Sequence, residues 1–292
     1  MTRQHDIRLG DRRVLTVAEF GSQDGFPVIY MHGAPGTGSE WSVFGRDSML
    51  EDRGLRLLAP SRPGLGRSTY QAGRTVEGWV EDLRQVLERF RVGRFAILGY
   101  SGGAAYAVLA ALAFEARLAS LTLVAPVLHA SASMTAGLDE NGLRLKHLVH
   151  DHPRLGALVL ALAMGWPSKR RPQLLRSRIL RALPVVDRRA LLEGRRLDRF
   201  VDIIADAFLN GSQGPSLDMA LMASPWSSAP RSLSVATHIF QGELDSFGAR
   251  PAMAQYLAKG LGTDDLRIYP EGHISIFTSR MNEILAGIRG ES

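Results

Sequence analysis

Between Phe95 and Phe114 the chain passes from an apolar run, through a serine bracketed by glycines, into an alanine-rich stretch. Phe95-Ala96-Ile97-Leu98 has the length and bulk of a buried strand, and the residues from about Gly102 to Phe114 read as a helix. Gly99-Tyr100-Ser101-Gly102-Gly103 must therefore turn the chain from strand to helix within a few residues. A turn this sharp thrusts a serine side chain out of the sheet, and only small neighbours leave room for it. Few architectures besides a parallel sheet flanked by helices present such a turn at a strand end.

The rest of the chain keeps the same rhythm. Ile7–Leu9 and Val14–Phe20 are predicted to form a hairpin around Gly10-Asp11, followed by strands at Val28–Met31 and Leu55–Ala59. A helix is predicted from Thr75, its N-cap, to Phe90, with Val76, Trp79, Val80, Leu83, Val86, Leu87 and Phe90 on one face. Leu121–Ala125 is the next strand. From about Val127 to Pro230 the pattern is helical, interrupted by prolines, and no strand is predicted. The β/α rhythm resumes with a strand at Ala236–Phe240, a helix near Pro251–Lys259, a strand at Leu266–Tyr269 and a last helix from Ser275 to Ile288. The reading is an α/β fold with a mostly parallel central sheet, its core formed by residues 1–127 and 231–292. Residues 128–230 are a helical insertion.

Composition narrows the function classes. The chain has no cysteine, which excludes disulfides, thiolate metal sites and a cysteine nucleophile. The N-terminal Met1–Arg8 lacks an apolar core, so no secretory signal is predicted. The longest apolar run, from Leu155 to Trp166, falls short of the roughly 18 residues of a membrane span. A cytoplasmic location is the default expectation. Net charge is +6, carried almost wholly by arginine. It is concentrated in Lys169–Arg199, where only Asp187, Glu193 and Asp198 offset the cations. Without interleaved aromatics this tract reads as a solvated helix face, and no nucleic-acid partner is expected.

Serine is a weak nucleophile unless a base, itself oriented by a third group, takes its proton. Of the eight histidines, His273 lies just past the last predicted strand, where such sheets gather functional groups. His5 and His238 read as surface or strand positions, and His147, His150 and His152 as a solvated face rather than a metal site. The orienting acid should also follow a strand. Asp245 does so after the strand ending at Phe240, with Glu243 its nearest competitor; Asp245 is preferred because the turn must finish before a side chain reaches back. The order is then Ser101, Asp245, His273. His32-Gly33-Ala34-Pro35-Gly36 supplies a glycine-rich turn after another strand. Its Ala34 N–H, with the Gly102 N–H at the start of a helix, is suited to holding a developing oxyanion.

These residues together resemble the α/β-hydrolase superfamily along nearly the whole chain, with a helical cap in the place of residues 128–230. The resemblance is to bacterial members with an H-G-x-P-G oxyanion loop and an R-P-G-x-G-x-S segment, here Arg62-Pro63-Gly64-Leu65-Gly66-Arg67-Ser68. Ser61 stands where the family usually has aspartate, and Tyr100 where it usually has histidine. The resemblance implies a serine hydrolase acting on a small-molecule substrate, a carboxylic ester being the first expectation, with no metal or organic cofactor. Ser101 argues against haloalkane dehalogenases and epoxide hydrolases, which carry aspartate at this turn. Ala34 and Gly102 depart from the H-G-G-P-G loop and post-nucleophile tryptophan of prolyl aminopeptidases. The alternatives are a prolyl-aminopeptidase-like amidase, a carbon–carbon bond hydrolase, or a ligand-binding or sensory protein on the same fold. Substrate contacts are expected from Met164, Trp166, Phe208 and Trp226 of the cap, and from Trp41 and Phe247 in loops beside the triad.

Overall fold

Eight strands form a single sheet in the order β1-β2-β4-β3-β5-β6-β7-β8. They are β1 (Arg3–Arg8), β2 (Val14–Gly21), β3 (Phe26–Met31), β4 (Leu55–Pro60), β5 (Phe95–Tyr100), β6 (Leu118–Val124), β7 (Ala236–Gly242) and β8 (Leu266–Tyr269). β2 is antiparallel to both β1 and β4, and every other pairing is parallel. This computed structural model describes residues 3–127, 144, 148–223, 230–246 and 250–289.

β5 lies between β3 and β6 and is buried along its whole length. Its alternation divides the core. Phe95 and Ile97 join one cluster with Ile29 and Met31, while Ala96, Leu98 and Tyr100 join another with Val28 and Tyr30. Helices cover both faces, as parallel strands buried on two sides require. In chain order the helices before β6 are α1 (Trp41–Phe44), α2 (Asp47–Glu51), α3 (Trp79–Arg89) and α4 (Gly103–Ala113). After β7 come α11 (Pro251–Leu261), α12 (Ser275–Ser279) and α13 (Met281–Ala286). Residues of α3, α4 and α11 pack in the first cluster, and those of α1, α2, α12 and α13 in the second.

Two helices differ from the sequence expectation. α3 begins at Trp79 rather than Thr75, because hydrogen bonds from Trp79 N–H to Val76 and from Val80 N–H to Glu77 make tighter turns ahead of it. The Thr75 hydroxyl still accepts the Gly78 N–H at 3.0 Å. The last helix divides at Arg280, whose φ of −104° and ψ of 14° leave the helical region.

Between β6 and β7 the described residues hold no strand, and their helices include α5 (Pro153–Leu160), a π turn (Ala161–Gly165), α6 (Trp166–Arg170), α7 (Pro172–Ala182), α8 (Val185–Leu192), α9 (Arg196–Ala207) and α10 (Gln213–Ala223). They share a small core of Val149, Leu160, Leu175, Val201, Ile204, Ala207 and Phe208. Among the described residues no helix is long and apolar enough to cross a membrane.

α4 approaches the sheet closely because its buried face is alanine and glycine: Ala104, Ala107 and Ala110 have no exposed surface. A Cβ on Gly103 would overlap the Met31 carbonyl oxygen and stand 2.7 Å from that of His32. Gly103→Ala is therefore expected to lower the unfolding free energy by about 2–3 kcal/mol. Gly93→Ala, with no atom within 4 Å of its new Cβ, should move it by less than about 0.5 kcal/mol. Urea midpoints of the two variants check the difference.

Candidate active site

Ser101 sits on the turn between β5 and α4 with φ at +51°, in the left-handed region that a non-glycine residue occupies at a cost of about 1 kcal/mol or more. Its N–H donates to the Val124 carbonyl at 3.0 Å, and its own carbonyl accepts from Ala104 (3.0 Å) and Val127 (3.1 Å). The turn is thus held between the end of β6 and the start of α4, and the side chain faces away from the sheet. His273 follows β8 by four residues, and its Nε2 lies 2.8 Å from Ser101 Oγ. On the other edge of the ring, Nδ1 lies 2.6 Å from Asp245 Oδ2. With a carboxylate on that side, Nδ1–H donates to Asp245 and the Nε2 lone pair accepts the serine O–H.

Asp245, three residues past β7, is fully buried, whereas Glu243 is exposed on the turn and its N–H donates to Tyr269. The geometry selects Asp245 over its competitor for contact with the histidine. Burial drives the His273 pKa down, but the charge and hydrogen bond of Asp245, with smaller contributions from Asp187 and Glu40, outweigh it. The net position is above the ordinary histidine value of 6.5. Tyr100 completes the surroundings, its ring 5.3 Å from the imidazole and its hydroxyl donating to the His273 carbonyl at 3.3 Å.

Ala34 and Gly102 lie side by side next to Ser101, and a Cβ on Gly102 would stand 3.4 Å from that of Ala34. Among the described residues neither N–H has a hydrogen-bond acceptor. The same Cβ would collide with Met222 Sδ of α10, so a glycine at 102 leaves the place that Met222 fills.

The Ala34 N–H is aimed by what holds the preceding carbonyl. In a trans peptide the C=O and N–H point opposite ways, so fixing the Gly33 carbonyl fixes the Ala34 N–H. That carbonyl accepts from Arg62 Nη2 at 2.9 Å and from His32 Nδ1 at 2.8 Å. Arg62 Nη1 also donates to the His32 carbonyl at 2.7 Å. Burial, with the Arg62 charge adding to it, holds the His32 pKa well below its usual value, in keeping with a neutral ring that accepts the Arg62 N–H on Nε2. The Gly33 N–H donates to Glu40 Oε2 at 2.7 Å, which also accepts the Tyr30 hydroxyl at 2.7 Å.

Arg62 is itself held from the inserted helices. Asp218 of α10 receives Arg62 Nε at 2.9 Å and Nη2 at 2.7 Å, Arg74 Nη2 at 2.5 Å and the Tyr106 hydroxyl at 3.0 Å. Burial pushes the Asp218 carboxyl up, and the two guanidinium groups more than reverse that and hold it low. Sequence reading takes Arg62 only as the first residue of a motif, without a role at the site, and passes over Arg74 and Asp218. One signal was available: Asp218 is the single charged residue of Gln213–Ala223.

Above Ser101 and His273 opens a cavity of about 210 Å³. Its walls are Ala163, Met164, Leu175, Ile179, Ala182, Leu183, Phe200 and Ile204 from the inserted helices, with Arg178 the one cation among them. Of the expected substrate residues, Met164 lines this cavity. Trp41 does not: it is fully buried in the core against Tyr30 and Phe277. Phe208 is buried among the inserted helices, and Trp166 is 51% exposed away from the cavity. Trp226 and Phe247 lie outside the described residues. The basic tract is partly tied into the fold: Arg176 and Arg195 face Asp198, Arg196 pairs with Glu193, and Arg199 donates to the Ser42 carbonyl.

A family model described as alpha/beta hydrolase fold matches residues 27–279. The chain resembles the esterase from Exiguobacterium antarcticum, with a TM-score of 0.69, 17% identity and 97% of each chain covered. It resembles epoxide hydrolase A from Mycobacterium thermoresistibile similarly, with a TM-score of 0.70, 16% identity and 99% of each chain covered. At such identities the likeness concerns the fold alone. A proline iminopeptidase from Neisseria gonorrhoeae is 31% identical over 127 residues, which span 42% of this chain and 40% of that protein.

Asp218→Asn leaves two buried guanidinium groups without their shared carboxylate. It is expected to lower the unfolding free energy by about 3 kcal/mol, read from the urea midpoint at constant m-value.

Proposed function

As this chain belongs to the α/β-hydrolase fold family, we propose that it is a serine hydrolase cleaving carboxylic esters of small or medium apolar substrates. The observation that carries this reading is the chain of hydrogen bonds from Ser101 Oγ through His273 to Asp245, at the floor of an apolar cavity and beside two N–H groups with no acceptor among the described residues.

In the proposed reaction His273 takes the Ser101 proton on Nε2 as Oγ adds to the ester carbonyl. The carbonyl oxygen gathers negative charge and is received by the Ala34 and Gly102 N–H groups. The tetrahedral species collapses, the alcohol leaves with the proton from His273, and an acyl-serine remains. Water then adds to the acyl carbon as His273 removes its proton, and the acid is released with Ser101 restored. Asp245 holds the imidazole in the Nδ1–H tautomer and balances the imidazolium that forms twice in each cycle. Preorganised donors in a water-poor cavity act more strongly than they do in bulk water, and the apolar walls of the inserted helices, acting as a cap, supply that setting.

An ester suits this machinery better than an amide, because the alkoxide departs with a single proton from His273 and needs no separate group to protonate nitrogen early. A serine at the turn also separates the reading from epoxide opening, for which this fold uses an aspartate.

Ser101→Ala is expected to abolish labelling by a fluorophosphonate probe and to reduce hydrolysis of p-nitrophenyl butyrate at least about 10³-fold. Labelling that persists on another serine rejects the assignment. The base must be neutral to act, so kcat/KM should fall about tenfold per pH unit on the acid side. With the His273 pKa raised, the midpoint of that limb is expected above 6.5, measured by pH-stat titration of an alkyl ester.

A further inference from the structure

Asp187 belongs to the arginine-rich tract, yet none of the tract's cations pairs with it among the described residues. It is fully buried, and its carboxylate is spent on backbone. Oδ2 accepts the His273 N–H at 2.9 Å, and Oδ1 accepts the N–H groups of Ile274 at 2.9 Å and Ser275 at 2.8 Å. These are the residue that bears the imidazole and the two that follow it into α12. The carboxylate packs so closely on Gly272 that no Cβ fits there, since one would meet Asp187 Oδ2 at 2.5 Å and its other carboxyl atoms closer still. One side chain of α8 therefore grips four consecutive residues of the loop that presents the base.

The other end of this connection is the cavity wall. Leu175, Ile179 and Ala182 of α7 and the following Leu183 all face the cavity, and Pro184 alone separates Leu183 from α8. Three residues into α8 stands Asp187. The wall that meets substrate and the clamp on the histidine loop are thus one short piece of chain.

We propose that Asp187 is a positioning residue through which the cap holds His273 in register with Ser101, so that docking of α7–α8 and placement of the base are a single event. This rests on His273 being the base, as proposed above. Three hydrogen bonds to a charged acceptor hold a loop far more firmly than three to water, and each is of the stronger, charge-assisted kind. The charge of Asp187 also acts on the ring. His273 faces Asp245 from the turn after β7, Asp187 from α8, Glu40 from the turn after β3, and Tyr100 and Ser101 from the β5 end. Both remote carboxylates favour the imidazolium, in the same sense as Asp245.

The test uses the full chain with Asp187→Asn and Asp187→Ala. Asn keeps an acceptor oxygen and the shape but removes the charge. Expected for Asn is a loss of about tenfold or more in kcat with KM within about twofold, and an acid-limb midpoint displaced to lower pH. Ala should lose about 10²-fold in kcat. The His273 imidazole, followed by NMR titration without substrate, should show the same downward displacement in Asp187→Asn. That readout needs no turnover, so it separates this inference from the proposed reaction, which the Ser101→Ala control addresses. A folded Asp187→Asn with an unmoved His273 titration and unchanged kcat would overturn the proposal. If neither variant folds, hydrogen exchange in the unaltered protein decides. The amides of His273, Ile274 and Ser275 should exchange with those of α8; exchange with β8 instead rejects the coupling.

Discussion

The left-handed backbone at Ser101 sets the terms for everything around it. A strand buried on both faces runs almost directly into a helix, and the two residues between them, Ser101 and Gly102, must turn the chain without a spare residue. The hydrogen bonds of Ser101 to Val124, Ala104 and Val127 hold the strain in place, and they bind the turn to both neighbouring elements. The same geometry requires α4 to lie almost on the sheet, which explains Gly103 and the alanines behind it. Because the sheet is parallel, β5, β7 and β8 all end on the same side. Side chains from three distant stretches of sequence therefore meet at one place.

Holding that place together falls to buried carboxylates. Asp245 faces the imidazole, Glu40 takes the Gly33 N–H, Asp218 fixes the arginine that holds the Gly33 carbonyl, and Asp187 takes the amides beyond His273. Burying a charge is costly, and replacing a buried ion pair by apolar side chains is often neutral or stabilising. Such groups are therefore poor agents of stability. What they contribute is direction, since a carboxylate with several donors converging on it admits far fewer arrangements than a methyl group. Two of the four come from the inserted helices. The insertion thus reaches into both the loop of Gly33 and Ala34 and the loop of His273 while also roofing the cavity.

How much of this is legible in sequence follows from the range of each interaction. Ser101 and its flanking strand and helix are local, and the pattern within twenty residues suffices. His273 and Asp245 require only the ends of strands, which apolar runs reveal. Choosing between Asp245 and Glu243 turns on where a three-residue turn ends, and only the exposed side chain of Glu243 makes the difference plain. Trp41 shows the opposite problem. A large aromatic beside a glycine-rich loop looks like a substrate contact, but the face of a four-residue helix decides its direction, and it points into the core. The cavity is walled instead by Leu175 and Ile179 and by Phe200 and Ile204, pairs four residues apart on α7 and α9. Surrounding arginines hide both pairs in the sequence. Asp187 is hidden the same way, because an acid among cations reads as a surface ion pair until the backbone it meets is known.

The cavity and the floor beneath it make opposing demands that the structure reconciles. Apolar surroundings strengthen charge interactions, but the same burial disfavours the imidazolium on which both halves of the proposed cycle depend. Asp245 opposes that penalty through its charge and its direct hydrogen bond. Glu40 and Asp187 act in the same sense, one from the turn after β3 and one from the inserted helices. His273 can therefore be buried and still hold its proton more tightly than an ordinary histidine. The segment that walls the cavity thus also brings Asp187, one of the smaller charges that offset the burial of His273, beside the larger contribution of Asp245 from the turn after β7.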